Sequence, residues 1–169
     1  MLSTLDQLEP IETERLRLVL LAPDDAPALQ AISDNPIIIA AISFLTPPFK
    51  VADAEALIRG KGDGRDRFVG LWSRAEEALA GVFGVHLQGD DRVEIGYWIA
   101  PPMHGQGFAT EAGRVLVEWL TSLAPERLIV AHALKNNHGS QRVLAKLGFR
   151  SPEAAGLEPE ALLLAIPKG

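Results

Sequence analysis

Residues 93–123 read VEIGYWIAPPMHGQGFATEAGRVLVEWLTSL, and this stretch predicts a strand, a glycine loop and a helix. The β-branched and aromatic residues of Val93–Ile99 are typical of a buried strand, which Pro101 and Pro102 end. Beyond the glycines, apolar residues recur at helical spacing up to Leu123, and Pro125 ends the predicted helix. The rest of the chain is organised around this unit.

The glycines Gly105 and Gly107 stand where the helix begins. The first backbone N–H groups of a helix lack intrahelical partners and lie at the positive end of the helix dipole, so they can bind an anion. A tight turn without a ligand explains the same glycines. The Rossmann fingerprint is excluded because Thr110 stands in place of its third glycine, and the P-loop triplet Gly-Lys-Ser/Thr does not occur.

The loop resembles the acetyl-CoA loop of the GNAT superfamily of N-acetyltransferases, whose form is Arg/Gln-x-x-Gly-x-Gly/Ala. The first position departs from this pattern, with His104 in place of Arg or Gln. Residues 105–112, Gly-Gln-Gly-Phe-Ala-Thr-Glu-Ala, resemble the branch of ribosomal-protein N-terminal acetyltransferases. The resemblance implies that backbone groups of Trp98 and Ile99 meet the pantetheine arm. It also implies that the loop residues hold the cofactor: His104, Gly105, Gln106, Gly107, Phe108, Ala109 and Thr110.

A second motif follows about 30 residues later, with Asn137, Ser140 and the triplet Leu147-Gly148-Phe149. It resembles the later GNAT motif, Asn-x-x-Ser/Ala and a helix that ends in Leu-Gly-Phe, and this implies that Asn137 lies near the cofactor. Many GNAT enzymes protonate the leaving CoA thiolate with a Tyr on this helix, but Leu144 occupies that position. Ser140 is the substitute that the ribosomal-protein branch suggests; alternatively it is a helix residue that bonds the backbone of Asn137.

Glu94 lies in the predicted strand that leads into the glycine loop, where several GNAT enzymes carry a catalytic glutamate. An amine with a pKa near 10 is mostly protonated at pH 7, so a base is needed before it can attack. The resemblance therefore implies that Glu94 is the general base, acting directly or through a water. The alternative is a structural carboxylate paired with Arg92 or with a cation of another strand.

The remaining pattern predicts a single domain, residues 1–169, of the α/β (α+β) class. The GNAT resemblance implies a mixed, mostly antiparallel sheet of six to seven strands with about four helices, splayed at the cofactor strand. Thr13 to Leu18 resembles the opening Thr-x-Arg-Leu-x-Leu of the ribosomal-protein branch. Residues 36–44 fit either a strand or a helix, and the leading Pro36 favours a helix. The other predicted elements are strands at 16–21, 68–73, 79–87, 92–99, 127–134 and 161–166, and helices after Pro23, at 53–59 and after Asn137.

The composition, 47% hydrophobic and 22% charged with a net charge of −6, is that of an ordinary globular domain. The acidic balance argues against a nucleic-acid partner, which requires a basic face. The chain has no cysteine, and its four histidines show no metal-binding spacing, so no metal is expected. We expect no signal peptide, no membrane partner and a cytoplasmic protein.

The GNAT resemblance implies an enzyme that uses acetyl-CoA to acetylate a primary amine, either a protein N-terminus or a small molecule. The alternative from another class is a catalytically weak CoA-binding sensor or interaction domain of the same fold. The sequence does not identify the acceptor, and it leaves a homodimer open.

Overall fold

The computed structural model describes residues 2–151 and 161–168, which form a seven-stranded sheet in the order β1 to β7. Neighbouring strands are antiparallel except β5 and β6, which are parallel. The strands are β1 (Ile11–Glu12), β2 (Leu16–Leu20), β3 (Asp66–Ser73), β4 (Ala78–Gln88), β5 (Arg92–Ile99), β6 (Leu128–Leu134) and β7 (Ala161–Ala165). The predicted mixed, mostly antiparallel architecture is confirmed.

Most helices begin close to the predicted residues, although α3 begins at Val51, two residues before the predicted start at residue 53. They are α1 (Ala26–Ser33), α2 (Pro36–Ala41), α3 (Val51–Arg59), α4 (Phe108–Leu123) and α5 (His138–Lys146). In α2 the Asn35 side chain accepts a hydrogen bond from the Ile37 N–H at 2.9 Å, and Pro36 occupies a first-turn position where its missing N–H costs nothing. This cap explains why three consecutive isoleucines form a helix here and not a strand.

Two hydrophobic clusters cover the two faces of the sheet. The cluster on one face holds α4 and α5, through fully buried side chains such as Leu116 and Leu120. The cluster on the other face holds α1, α2 and α3, and Trp98 of β5 belongs to it. The strand alternation therefore sends Trp98 and its neighbours Glu94 and Gly96 to the face that carries α1 to α3.

The sheet opens between β5 and β6. Their parallel pairing joins Arg92–Glu94 to Leu128–Val130 and stops there, so among the described residues Trp98 and Ile99 have no ladder partner on β6. The predicted splay at this strand is confirmed. The gap separates the end of β5, which leads into the glycine loop, from the end of β6, which leads into α5.

Two strands, β3 and β4, are longer than the sequence predicted, while β2, β6 and β7 are each one residue shorter. Asp66 pairs with His86, and Gln88 pairs with Arg92, at positions where polar side chains hide the apolar alternation. Within the described part of the chain, no helix combines the length and the apolar character that crossing a membrane requires.

Candidate active site

A cleft of about 750 Å³ occupies the gap between β5 and β6. This volume lies in the range of small-molecule and cofactor sites. The walls bring together most of the residues that the sequence singled out: Trp98, Ile99, His104, Gly105, Gly107, Phe108, Ala109, Thr110, Asn137 and Ser140. Gln106 and Glu94 are not part of the lining.

The glycine loop adopts a conformation that other residues rarely adopt. Gly105 and Gly107 have φ angles of +75° and +80°, and Gly107 is the N-cap residue of α4. A Cβ at Gly105 would have no described atom within 4 Å, so the loop backbone is open to a ligand. The loop therefore offers the unpaired N–H groups of the first turn of α4 to the cleft, as an anion site requires.

His104, which departs from the family pattern, anchors the loop. Its Nε2 donates a hydrogen bond to the Ile99 carbonyl at 2.7 Å, since the carbonyl can only accept. The turn is further closed by the His104 N–H, which donates to the Pro101 carbonyl at 3.2 Å. His104 thus ties the glycine loop to the end of β5.

A latch, formed by Thr13, Arg15 and Glu111, holds the first turn of α4 against the start of β2. Glu111 Oε1 accepts from Thr13 Oγ1 at 2.6 Å and from the Arg15 N–H at 2.9 Å, and Glu111 Oε2 accepts from Arg15 Nε at 2.7 Å. Arg15 also donates to the Gln106 carbonyl at 2.8 Å and lies over the Phe108 ring, 4.5 Å from its centroid. Two sequence motifs 96 residues apart therefore meet at the glycine loop.

The environment of Glu111 shifts its pKa. Burial alone would raise the pKa of this carboxyl, but the hydrogen bonds from Thr13 and Arg15 outweigh burial and lower it. A carboxyl with a lowered pKa in the folded state stabilises that state above its unfolded pKa, and the contribution disappears as the pH falls through the folded value.

We expect Glu111→Gln to lower the unfolding temperature at neutral pH, because it removes the Arg15 ion pair while it keeps the side-chain size. The difference from the unchanged protein should persist down to the usual range of Glu and close at still lower pH. Thermal unfolding followed across pH measures both effects. Glu118→Gln, at an exposed position two turns further along α4, is the matched control. A difference that stays constant into strong acid would contradict the latch.

The cleft is cationic although the protein is acidic. Its lining includes the basic side chains Arg142 and Lys146 of α5, while none of the described lining residues is an Asp or Glu. The whole chain carries a net charge of −6. This local reversal of sign favours an anionic ligand in the cleft.

The start of α5 forms the opposite wall. Asn137 caps the helix, since its Oδ1 accepts from the Ser140 N–H at 3.0 Å, as predicted. Leu144 is buried, and its aliphatic side chain has no proton to donate. Tyr97, the only tyrosine of the chain, enters the cleft from β5. Burial raises the pKa of its hydroxyl, and the nearby Ser140 side chain offsets only part of that rise. Tyr97 therefore stays protonated at neutral pH.

Glu94 lies on the face of the sheet that carries α1 to α3, at the point where β5 and β6 separate. Its Oε1 accepts a hydrogen bond from His132 Nδ1 of β6 at 2.8 Å, and its Oε2 accepts from Gln88 Nε2. The contacts of Glu94 therefore match the alternative expectation, a carboxylate paired with a basic group of another strand. The partner is His132 and not Arg92. Arg92 lies 3.7 Å from Asp91 instead.

Sequence reasoning missed several residues of this site. It did not single out Tyr97, because an aromatic residue within an apolar strand usually belongs to the core. It treated Arg15 and Glu111 as parts of separate motifs, and it did not connect Lys146 with the cofactor. One signal could have predicted the latch. Thr13–Leu18 and residues 105–112 both resemble the same family branch, which suggests that the two segments lie close together.

Comparisons with known proteins show which family this chain belongs to. The family model of the acetyltransferase (GNAT) domain matches residues 15–150. The chain is 31% identical over 105 residues to the uncharacterized N-acetyltransferase YnaD of Bacillus subtilis (strain 168). That alignment covers 60% of this chain and 61% of the relative, so it spans less than two thirds of either protein.

Solved structures share the fold at low sequence identity. The ribosomal-protein-S5-alanine acetyltransferase of Vibrio fischeri superposes with a TM-score of 0.80 at 16% identity, over 95% of this chain and 97% of that one. The spermidine N-acetyltransferase of Vibrio cholerae, in complex with CoA and spermine, gives 0.77 at 18% identity, over 92% and 97%. With the family model covering most of the chain, the protein belongs to the GNAT family of acetyltransferases.

Proposed function

We propose that this domain transfers the acetyl group of acetyl-CoA directly to a primary amine. The observation that carries the proposal is the cleft in the gap of the sheet, where the open glycine loop meets Arg142 and Lys146. A cationic cleft that contains a helix N-terminus suits the phosphates of CoA. Membership of the GNAT family and the similarity to the N-acetyltransferase YnaD support the same reaction.

We assign the lining residues to successive parts of the acetyl-CoA molecule. In our proposal the backbone of residues 104–110 holds the pyrophosphate, and Arg142 and Lys146 supply positive charge to the phosphates. The gap-facing edge of Trp98–Ile99 binds the pantetheine arm where β6 provides no ladder partner. Asn137, at the start of α5, borders the arm from the other wall.

The chemistry requires a proton acceptor and a proton donor on opposite sides of the thioester. As the amine nitrogen bonds to the acetyl carbon, the C–S bond breaks, the nitrogen loses a proton and the CoA thiolate leaves. We propose Glu94 as the carboxylate that drives removal of the amine proton. Ser140, which lines the cleft together with the protonated Tyr97, is the proposed donor to the thiolate, in place of the tyrosine that Leu144 replaces.

The acceptor belongs to one of two classes, a protein N-terminus or a small-molecule amine. Two structural neighbours represent the two classes, a ribosomal-protein acetyltransferase and a spermidine acetyltransferase. We propose that the reaction takes place in the cytoplasm. We also propose that it involves no nucleic-acid partner, since the net charge of −6 disfavours binding to a polyanion.

A CoA-binding sensor is the second candidate, and the leucine at position 144 is the observation that favours it. Release of free CoA thiol from acetyl-CoA, measured with a panel of N-terminal peptides and polyamines, separates the two functions. Amine-dependent release supports the transferase. Tight CoA binding in calorimetry without release by any amine on the panel identifies the sensor.

A further inference from the structure

The Glu94–His132 contact assigns a role to a residue that the sequence did not single out. The two side chains come from adjacent strands, β5 and β6, and their hydrogen bond of 2.8 Å closes the apex of the gap. Both are only partly buried, with side-chain exposures of 40% for His132 and 25% for Glu94. A substrate that approaches this face can therefore reach the pair.

The hydrogen bonds of the pair define which nitrogen of His132 is free. A carboxylate at neutral pH can only accept, so Nδ1 of His132 carries the proton that it donates to Glu94 Oε1. In the neutral imidazole Nε2 then holds a lone pair, and none of the described residues hydrogen-bonds to it. A carboxylate on Nδ1 that fixes the tautomer and leaves Nε2 as the base is the arrangement of catalytic triads.

Glu94 itself is already engaged on both oxygens. Oε1 accepts from His132 and Oε2 accepts from Gln88. Direct uptake of a proton by Glu94 would compete with one of these hydrogen bonds, whereas uptake at His132 Nε2 preserves both. The geometry thus favours the imidazole as the atom that meets the amine.

The space beside the pair is open. Gly96 lies two residues beyond the last β5–β6 pair, and a Cβ added there would have no described atom within 4 Å. On the opposite strand His132 is likewise two residues beyond that pair, and its same-face neighbour Leu134 lines the cleft. If the β5–β6 register is extended by two residues, Gly96 faces His132 across the gap, and the cleft residue Trp98 is the next residue of β5 on the same face.

We propose that the acceptor amine binds above Gly96 and that His132 Nε2 takes its proton, with Glu94 as the residue that positions His132. This inference rests on the proposed acetyl transfer. The amine nitrogen forms the C–N bond, its proton passes to Nε2, and the electron pair of the C–S bond leaves with CoA. The carboxylate of Glu94 stabilises the imidazolium that results, as in a triad.

The decisive variant is His132→Asn, because its amide nitrogen can still donate to Glu94 while the variant lacks Nε2. We expect kcat to fall by about 100-fold, within the range of a positioned base, while CoA affinity in calorimetry stays unchanged. The double variant His132→Asn/Glu94→Gln should be no slower than the slower of the two single variants, because the two residues act together and either substitution alone disrupts their joint function. In His132→Ala, added imidazole should restore part of the turnover.

The matched control is His86→Asn. His86 forms the equivalent pair with Asp66 at 2.9 Å. It lies opposite Glu94 in the register of β4 and β5, but its own pair joins β3 to β4, in the continuous part of the sheet and not at the gap. We expect its kcat to stay within a few-fold of the unchanged enzyme. Unaltered kcat in His132→Asn, or a His132→Ala enzyme that imidazole does not restore, overturns the inference.

The position of the amine has its own test. Gly96→Val suits a strand and fills the space above the residue, so we expect the KM of the amine to rise at least tenfold with CoA affinity unchanged. An unchanged KM in this variant overturns the proposed seat. Absence of amine-dependent CoA release from the unchanged protein would instead refute the transferase itself, so the two failures are distinguishable.

Discussion

Gly107→Glu is expected to abolish CoA binding while the domain remains folded. Gly107 has a φ of +80°, where any residue with a Cβ is strained by about 1–2 kcal/mol. The added carboxylate would stand at the N-terminus of α4 and repel the phosphates that this terminus attracts. A Cβ at Gly107 would also lie 3.5 Å from Arg15 Nη2, so the new carboxylate competes with Glu111 for the latch.

The control for this variant is Gly62→Glu. Gly62 has a nearly identical φ of +78°, is exposed, and would place its Cβ with no described atom within 4 Å. It adds the same strain and charge outside the residues that line the cleft. Calorimetry with CoA should show normal affinity in Gly62→Glu and none in Gly107→Glu. Normal affinity in a folded Gly107→Glu protein would refute the phosphate loop.

Glu94→Gln is expected to lower kcat/KM by roughly 100-fold or more near pH 7, because an amide cannot stabilise the proton that leaves the amine. CoA affinity should barely change, since Glu94 is not part of the cleft lining. The deficit should shrink in alkaline buffer, where a larger fraction of the amine is already unprotonated. Steady-state kinetics with one amine across pH measures the loss and its recovery.

Asp66→Asn is the matched control, because Asp66 also accepts from a histidine on the same face of the sheet. Its kcat/KM should stay within a few-fold of the unchanged enzyme. A Glu94→Gln enzyme with normal turnover at every pH would show that neither Glu94 nor the unit that it positions removes the proton.

The sequence predicted the parts of the site that depend on local pattern. Proline, glycine and apolar spacing placed β5, the glycine loop and α4, and the Asn137 cap placed the start of α5. Each of these signals acts within a few residues of chain, so no knowledge of the sheet was needed. The same holds for α2, where Asn35 and Pro36 outweighed three β-branched residues.

The contacts that could not be predicted are those between distant segments. The pairing of Glu94 with His132 depends on the register of β5 against β6, and a shift of one residue would turn His132 to the other face. The placement of Tyr97 and Ser140 in one cleft depends on how α5 packs over the strand. Such contacts follow from tertiary packing, which residue spacing does not encode.

The short pairing of β5 with β6 links ligand concentration to folding. Below the gap, the two parts of the sheet are joined by three residue pairs and by the buried Arg127, which donates to the carbonyls of Gly89, Arg92 and Leu2. A ligand that hydrogen-bonds the free edge of β5 supplies interactions that a longer β6 ladder would otherwise provide. By thermodynamic linkage, a ligand at 100 times its dissociation constant adds about 2.7 kcal/mol to the free energy of unfolding.

This linkage makes the melting temperature a readout of occupancy, independent of turnover. Hydrogen exchange at the backbone amides of residues 95–99 should slow when the gap is filled, while exchange in β3 and β4, which are paired on both sides, should change little. A rise in the melting temperature of the domain thus indicates that a ligand has bound in the gap.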